Sequence, residues 1–310
     1  MRRLSIAIGN YGLTKALKDG TVKPPRLDLD YVQIEPVTKA MRRMVRGMEF
    51  DICEMAFTTY LCAKALGAEF TAIPVFLTRN FHHWAAFHNV KAGIRDPKDL
   101  EGRRVAVNRG YTVTTGLWVR GILKSEYGVD LGKVTWVPTD DEHVATYRAY
   151  PPNVDLSSIG KPMGELLLSG NCDAAIGDVK VDSPDIKPLI PNAREAGFAW
   201  FRKAGIYPLN HGLVVKDALL REHPELALDL FAAFKAAKTA YLARLDTAPT
   251  PADDTVRALR QVVGEDPFPF GIAANRKALE TIVDFAVDQQ VIPRPLTPEQ
   301  LFAGNTLTLD

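Results

Sequence analysis

The segment 74–88 holds the densest set of side chains that could do chemistry. Four ionisable residues lie there among apolar ones: Arg79, His82, His83 and His88. Ionisable groups are seldom buried in a protein unless they are paired or bind a ligand. This segment is therefore a candidate binding site, which residues from other parts of the chain would complete.

A strand over 79–84 would divide these side chains between two faces. One face would carry a cation, a ring and an imidazole: Arg79, Phe81 and His83. The other face would carry Asn80, His82 and Trp84. The first combination suits an aromatic carboxylate, because a guanidinium binds the carboxylate and a ring packs on the aromatic group. The alternative is an ordinary edge strand with a solvated arginine and locally satisfied histidines.

Carboxylates end two predicted strands in similar surroundings. A helix, a glycine, an aspartate and a strand follow one another in RRMVRGMEFDICEMA and again in GELLLSGNCDAAIGD. The first strand delivers Glu54 at its far end, and the second delivers Asp178. Two lobes built on one plan would turn these strand ends toward a common cleft, where open α/β sheets bind ligands. Coincidence is the alternative, since connections of this kind are common.

Hydroxyl groups cluster where two helices are predicted to begin. Thr58 and Thr59 open a helix over 57–66, and a loop over 108–115 leads into another helix. That loop carries one arginine and three threonines: Arg109, Thr112, Thr114 and Thr115. Hydroxyls and free backbone N–H groups at a helix start can bind a carboxylate or phosphate. Plain capping by a threonine is the alternative.

Two further candidates lie beside predicted strand ends. Tyr11 is in the loop after the first strand, and His211 precedes an apolar strand. Imidazole titrates near neutral pH, so His83 and His211 are candidates for proton transfer to a substrate. Glu54 or Asp178 would orient such a histidine or act as a base.

Strands and helices alternate along the chain. Strands are predicted over 4–8, 27–34, 50–55, 104–107, 134–137 and 206–215, and helices over 14–18, 38–48, 57–66, 217–245, 252–263, 274–290 and 297–302. The polar segment 139–163 is predicted to be a long loop or lid. This alternation is typical of α/β lobes with mainly parallel sheets, and 310 residues exceed the usual size of one core.

Composition disfavours several classes of partner. A net charge of +1 without long basic blocks argues against nucleic acid. No apolar run approaches the ~20 residues of a membrane span, and the start lacks the ~7–15 apolar residues of a secretory signal, so a cytoplasmic location is expected. Three cysteines without metal spacing are predicted to be reduced and buried: Cys53, Cys62 and Cys172.

Several catalytic motifs are absent from the sequence. These include G-x-G-x-x-G after a strand, G-x-x-x-x-G-K-[ST], H-E-x-x-H and G-x-S-x-G. On a strand the adjacent His82 and His83 would point apart and could not share a metal ion. Nucleotide enzymes, zinc hydrolases and serine hydrolases are disfavoured, and neither a metal nor a cofactor is expected. The sequence leaves a homo-oligomer open.

Seven segments, in their order and spacing, resemble the 4,5-dihydroxyphthalate decarboxylase family. They are AIGNYG, EFDICEMAFTTYL, IPVFLTRNFHHW, DPKDLEGRRVAVNRGYTVTTGLWVRGIL, YPLNHGLVV, NRKALETIVDFAVDQQ and PEQLF. That family is related to periplasmic solute-binding proteins and to the thiamine-precursor synthesis (NMT1/THI5-like) group. The resemblance implies the type II periplasmic-binding fold, with two α/β lobes and a ligand cleft between them. Lobe 1 would be discontinuous, over 1–92 and 205–310, and lobe 2 would span 93–204.

The resemblance also implies an activity, the cofactor-independent decarboxylation of a hydroxylated aromatic carboxylate. Under this hypothesis the catalytic residues are His83, His211 and Glu54. The predicted substrate-binding residues are Tyr11, Thr58, Thr59, Arg79, His82, Arg109, Thr112, Thr114, Thr115 and Asp178. The main alternative is a solute-binding protein for a small organic acid, because one fold can host many functions. A thiamine-precursor enzyme is a weaker alternative, because no cysteine-rich or histidine-rich patch resembles one.

One motif departs from the family. The family's strand motif resembles R-x-F-R-H-S, whereas residues 79–84 read R-N-F-H-H-W. His82 therefore replaces the second arginine, and Trp84 replaces a small hydroxyl residue. If that second arginine holds one of two carboxylates, the substrate of this chain is a monoacid or a different diacid.

Overall fold

The structure is a computed structural model that describes residues 3–310. The strands in this range are β1 (Arg3–Ala7), β2 (Asp28–Tyr31), β3 (Ile52–Ala56), β4 (Phe70–Arg79), β5 (Ala86–Asn89), β6 (Arg104–Val107), β7 (Thr135–Pro138), β8 (Ala174–Ile176), β9 (Ile186–Pro188) and β10 (Leu209–Lys216). The predicted strand over 104–107 is β6, and the other predicted strands are confirmed to within a few residues.

The helices show the same agreement with the predicted pattern. They are α1 (Gly12–Lys18), α2 (Thr38–Gly47), α3 (Phe57–Ala65), α4 (Thr114–Tyr127), α5 (Met163–Leu168), α6 (Ala193–Ala204), α7 (Asp217–Glu222), α8 (Leu226–Thr247), α9 (Asp254–Val263), α10 (Arg276–Asp288) and α11 (Pro298–Leu301). The long loop predicted over 139–163 contains only a short 3₁₀ turn before α5. Helix α6 and strand β9 lie in a stretch where no element is predicted.

The strand predicted over 79–84 is wrong. Strand β4 ends at Arg79, and His82–Ala85 form a 3₁₀ turn that leads into β5. Side chains alternate between two faces only along extended backbone, so the predicted division of Arg79, His82 and His83 between faces does not apply. Both histidines are buried.

The chain divides into two compact units. Unit 1 holds the residues up to Arg79, with Leu209–Glu280 and Leu296–Asp310, and unit 2 holds Asn80–Pro208 and Thr281–Pro295. The boundaries predicted at 92/93 and 204/205 differ from this division. Residues 80–92 go with unit 2 because β5 pairs with β8 and β9.

The return of the chain to unit 2 after α9 is held by hydrogen bonds to α4. The Gln289 amide donates to the carbonyl of Leu117 at 3.0 Å and accepts from Arg120 Nε at 2.7 Å. These bonds give the physical reason why 281–295 belong to unit 2, where the sequence predicted lobe 1.

The two sheets have one topology. Unit 1 has the order β2-β1-β3-β10-β4, and unit 2 has the order β7-β6-β8-β5-β9. In unit 1 the first three strands are parallel, and β10 is antiparallel to both of its neighbours. In unit 2 the first three are again parallel, and β5 is antiparallel to both neighbours. This shared order confirms the α/β class and favours a single plan for both units over coincidence, the two alternatives that the sequence left open.

Strand direction decides where loops meet in each sheet. In unit 1 the carboxyl ends of β1, β3 and β4 lie at the edge where β10 begins. In unit 2 the carboxyl ends of β6, β7 and β8 lie at the edge where β5 begins. Ligands of open α/β sheets bind at such edges, and most of the predicted site residues lie on them.

Close packing fixes the start of α1 in unit 1. The core beneath the sheet includes residues of β1, α1, β10 and α8: Leu4, Ile6, Leu13, Val215 and Phe234. A Cβ at Gly12 would lie 2.2 Å from the ring of Tyr241 in α8, so only glycine permits this approach. The contact determines where the preceding Tyr11 lies.

Among residues 3–310, every helix is too short or too polar to cross a bilayer.

A matched pair of glycine substitutions tests the packing of α4. A Cβ at Gly121 would lie 2.0 Å from the Phe285 ring, whereas one at Gly47 would have nothing within 4 Å. We expect Gly121→Ala to lower the free energy of unfolding by about 1–3 kcal/mol, because overpacking outweighs the gain in helix propensity. Gly47→Ala should be neutral or stabilise by less than about 1 kcal/mol. Urea denaturation of both variants gives the comparison, and equal stabilities would contradict the packing.

Candidate functional site

Three of the predicted residues converge at the sheet edge of unit 1. Tyr11 follows β1, Glu54 lies in β3, and His211 lies in the antiparallel neighbour β10. Glu54 is directly opposite Leu213, and His211 is two residues from Leu213 on the same strand. Residues two apart on a strand share a face, so the register of β3 and β10 brings Glu54 and His211 together.

The Glu54 carboxylate is fully buried and hydrogen-bonded at both oxygens. Its Oε1 accepts from the Tyr11 hydroxyl at 2.7 Å and contacts His211 Nδ1 at 2.6 Å. Its Oε2 accepts from the Gly9 N–H at 2.8 Å. A buried carboxylate requires such donors, because otherwise its desolvation is not compensated. The Glu54 carboxylate therefore links three parts of the chain: β3, β10 and the loop after β1.

Gly9 is a member of this site that the sequence pattern did not indicate. A Cβ at this position would lie 2.4 Å from the Tyr11 hydroxyl oxygen. A side chain here would displace the tyrosine from Glu54. Gly9 lies in the AIGNYG segment, but a glycine in the loop after a strand by itself indicates no more than a turn.

The contact with Glu54 fixes the tautomer of His211. A carboxylate only accepts, so Nδ1 carries a proton and the second nitrogen, Nε2, holds either a lone pair or another proton. The His211 side chain keeps 19% of its surface exposed, whereas Glu54 keeps none. An imidazole that is oriented by a carboxylate and partly exposed is suited to acid–base catalysis.

Tyr11 acts as a hydrogen-bond donor in this arrangement. Burial raises the pKa of Tyr11 well above its usual value near 10, and the charge and hydrogen bond of Glu54 raise it further. The phenol therefore stays protonated at all pH values at which the protein would work. The structure places Tyr11 against Glu54, and its predicted contact with a substrate stays a prediction.

The other predicted residues of unit 1 lie at the same edge. Thr58 and Thr59 are buried in the first turn of α3, directly after β3. Arg79 is half-buried at the end of β4. Its Nη2 donates to Asn275 Oδ1 and lies 3.5 Å from the Pro269 carbonyl oxygen, so the guanidinium is held in a fixed orientation.

The histidines of the 74–88 segment lie in unit 2, among aromatic rings. The His82 ring is parallel to that of Trp118, with 6.4 Å between centroids, and has no exposed surface. The His83 ring centroid lies 5.6 Å from that of Trp200. Within the described residues His83 Nδ1 is buried and has no hydrogen-bond partner. Burial lowers the pKa of His83 to about 4, so the ring is neutral at neutral pH.

The predicted anion site at Thr112 is occupied by the protein itself. Glu142 Oε2 accepts from the Thr112 hydroxyl at 2.5 Å and from the Thr112 N–H at 3.1 Å. Its Oε1 accepts from the Tyr111 N–H at 2.6 Å. Glu142 lies in the long loop after β7, where the sequence predicted only a lid, and no motif distinguishes it from the acids beside it.

The remaining predicted residues of unit 2 have differing surroundings. Arg109 is half-buried and has φ of 67°, and its N–H donates to Thr139 Oγ1 at 3.0 Å. Thr114 and Thr115 begin α4. Asp178 has 64% of its side chain exposed and lies 4.0 Å from Lys180 Nζ. It does not repeat the environment of Glu54, although the two acids follow similar sequence patterns.

In residues 3–310 no group of three or more His, Cys, Asp or Glu side chains is placed to hold a metal ion. Among the described residues Cys53, Cys62 and Cys172 are buried thiols outside any disulfide, as predicted.

Solved structures with the same fold include a binding protein and an enzyme. The periplasmic aliphatic sulphonate-binding protein SsuA from Escherichia coli is 13% identical, with 98% of each chain covered and a TM-score of 0.54. The desulfurization enzyme DszB is 14% identical, with 99% of this chain and 98% of that chain covered and a TM-score of 0.56. At these identities the similarity establishes the periplasmic-binding-protein-like fold.

Sequence comparison is more specific. The family model described as "NMT1/THI5 like" matches residues 26–157. A 4,5-dihydroxyphthalate decarboxylase of Pseudomonas putida is 29% identical over 211 residues, covering 64% of this chain and 81% of that protein. Another of the same name, from Comamonas testosteroni, is 31% identical over 320 residues, covering 97% of this chain and 96% of its own length. The chain belongs to the 4,5-dihydroxyphthalate decarboxylase family.

Proposed function

We propose that this protein decarboxylates a hydroxylated aromatic carboxylate without a cofactor. The observation that carries the proposal is the His211–Glu54 pair, an imidazole fixed at Nδ1 by a buried carboxylate and partly exposed elsewhere. The names of the two relatives, both 4,5-dihydroxyphthalate decarboxylases, support the same reaction class.

The reaction exchanges a proton for carbon dioxide at one ring carbon. A phenol oxygen ortho or para to that carbon supplies electron density, and an acid protonates the carbon. The bond to the carboxylate then breaks, carbon dioxide leaves, and the bonding electrons return to the ring. One proton is consumed for each molecule of carbon dioxide. The site therefore needs an acid near the ring carbon and a cation or donor set for the carboxylate.

His211 is the proposed acid. With Nδ1 bound to Glu54, a second proton on Nε2 makes the ring a cation whose charge the carboxylate compensates. Transfer of the Nε2 proton to the ring carbon leaves the neutral tautomer already fixed by Glu54. Tyr11 and Gly9 keep that carboxylate in place throughout. A positioned acid of this kind contributes typically about 10²–10⁴-fold to the rate.

The two predicted catalytic histidines differ in their suitability for this step. His83 is buried and has a pKa of about 4, so at neutral pH it has no second proton to give. His211 retains exposed surface and a carboxylate partner. The proposal therefore assigns proton donation to His211 and leaves the catalytic role of His83 as a prediction.

Arg79 is the proposed carboxylate ligand in unit 1. Its guanidinium is half-buried at the sheet edge, and the bonds to Asn275 and Pro269 hold it in one orientation. A planar guanidinium binds a carboxylate through two parallel hydrogen bonds, and prior orientation lowers the entropy cost of binding.

A binding protein is the second candidate function, favoured by the fold shared with the sulphonate-binding protein SsuA. One experiment separates the two. The purified protein is incubated with a panel of hydroxylated benzoates and hydroxylated phthalates, and released carbon dioxide and substrate binding are both measured. Turnover of at least one hydroxylated acid supports the decarboxylase. Tight binding without any carbon dioxide would identify a solute-binding protein.

Replacement of His211 tests the proposed acid. In His211→Asn the side-chain amide can still donate to Glu54, but no group remains that transfers a proton. We expect kcat to fall by about 10²–10⁴-fold with a much smaller change in KM. The matched control is His223→Asn, an exposed histidine whose side chain keeps 43% of its surface accessible. If His211→Asn keeps more than half of the wild-type kcat, His211 is not the acid.

The burial of His83 predicts a pH dependence of stability. The pKa is about 4 in the folded protein and about 6.5 in the unfolded chain, so between these values the unfolded chain takes up a proton that the folded protein does not. Folding stability is therefore lost as the pH falls from 6.5 toward 4. At pH 4.5 this loss should be roughly 2–3 kcal/mol relative to pH 7.5.

Urea denaturation at both pH values tests this dependence. His83→Gln has no titratable ring, so the difference between the two pH values should shrink by that amount relative to wild type. His223→Gln, at an exposed position, should behave as wild type does. Identical pH dependence in wild type and His83→Gln would contradict the burial of His83.

A further inference from the structure

Glu142 lies where a substrate anion was predicted to bind. The carboxylate receives three donors from the loop between β6 and α4, and only 4% of the residue is exposed. The loop is shaped around it, because a Cβ at Gly110 would lie 2.3 Å from Glu142 Oε2. This geometry is that of an anion-binding site in which the bound anion is a side chain of the same protein, Glu142.

Arg120 holds the same loop from the other side. Its Nη2 donates to the Tyr111 carbonyl at 2.7 Å, and its guanidinium carbon lies 4.0 Å from the centre of the Tyr111 ring. Glu142 binds the N–H of the same residue. The backbone of Tyr111 is thus held at its N–H by an anion and at its carbonyl by a cation.

The two charges also stabilise each other in the interior. Arg120 has no exposed surface, and burial lowers its pKa, while the negative charge of Glu142 acts in the opposite direction. Nη1 of Arg120 is buried without a hydrogen bond among the described residues. Loss of Glu142 would therefore leave a buried cation with less compensation.

The consequences reach Arg109 and the start of α4. Arg109 has φ of 67°, a left-handed backbone conformation that few residues other than glycine adopt, and it directly precedes Gly110. Thr139, in the loop that carries Glu142, accepts from the Arg109 N–H and donates its own N–H to the Arg109 carbonyl, both at 3.0 Å. These two hydrogen bonds therefore join the loop that carries Glu142 to the loop that carries Arg109.

We propose that Glu142 is the permanent occupant of this anion site and acts as a positioning residue for the decarboxylation. It fixes the loop that carries Arg109 and leads into α4, and a substrate carboxylate binds elsewhere. This inference rests on the proposed function for its catalytic part. The other part of the inference, that the Glu142 side chain fills a site for a carboxylate, does not depend on which reaction the protein catalyses.

Refilling the site with a small carboxylate tests the proposal. In Glu142→Ala the three donors remain while the carboxylate is gone, so sodium formate should bind there and raise the melting temperature. The same variant should lose roughly 10–100-fold in kcat and recover part of that loss as formate is added. Wild type, with the site filled, should show neither effect. The matched control is Asp141→Ala, which removes the neighbouring exposed carboxylate and should also show neither.

A second variant guards against loss of folding. Glu142→Gln fills the same volume with an uncharged amide, so it should lose activity and formate should not restore it. If neither formate nor acetate stabilises Glu142→Ala, or if that variant is as active as wild type without them, the proposal is overturned. Tighter binding of a hydroxylated phthalate to Glu142→Ala than to wild type would overturn it as well, since Glu142 would then be a stand-in for substrate.

The outcomes separate this inference from the proposed function. If wild type releases no carbon dioxide from any acid in the panel, the decarboxylase proposal fails. The formate-dependent melting temperature of Glu142→Ala still decides whether the site is one for carboxylates. If wild type is active and formate has no effect on Glu142→Ala, only the inference on Glu142 fails.

Discussion

A carboxylate buried at the edge of a sheet must be surrounded by donors, and the candidate site of unit 1 depends on this requirement. Glu54 has no exposed surface and is bound by Gly9, Tyr11 and His211. Desolvation of an uncompensated carboxylate costs several kcal/mol, so the three donors are held in one arrangement. The orientation of His211, and with it the position of any proton on Nε2, follows from the burial of Glu54.

Unit 2 meets the same requirement with a different residue. Glu142 is bound by the loop after β6, just as Glu54 is bound by the loop after β1. Strands β1 and β6 occupy the same place in their sheets. In each loop a glycine leaves no room for a side chain, Gly9 against the Tyr11 hydroxyl and Gly110 against the Glu142 carboxylate. The two units thus share a way of fixing a loop, although Glu54 lies in a strand and Glu142 lies in a loop.

The sequence predicted the secondary structure and sheet plan of the two units better than the side-chain contacts of the candidate site. Alternating strands and helices indicated two α/β units on one plan, and the sheets have one topology. The pairing of Glu54 with His211 was not predictable, because 157 residues separate them and only the register of β3 and β10 joins them. The repeated pattern selected Asp178 as the counterpart of Glu54, yet Asp178 is exposed and Glu142 is buried. A sequence pattern shows where a strand ends. Whether an acid near that end is buried depends on how the long loops pack against the sheet, which the pattern does not show.

The 74–88 segment shows a second limit of the same kind. The spacing of its histidines is compatible with a strand over 79–84, but the backbone turns after Arg79. Propensity could not reveal that turn, because His82 and His83 are buried by aromatic rings distant in sequence, those of Trp118 and Trp200. The low pKa of His83 is a consequence of that packing and of no feature of the segment itself.

Donors that the protein itself already binds are not available to a ligand. In unit 2 the donors of Thr112 are used by Glu142, and His82 is fully buried against Trp118. In unit 1 the guanidinium of Arg79 is oriented at the sheet edge by Asn275. A guanidinium held in this way loses less side-chain entropy when it binds a carboxylate, so the two units differ in what each offers an anion.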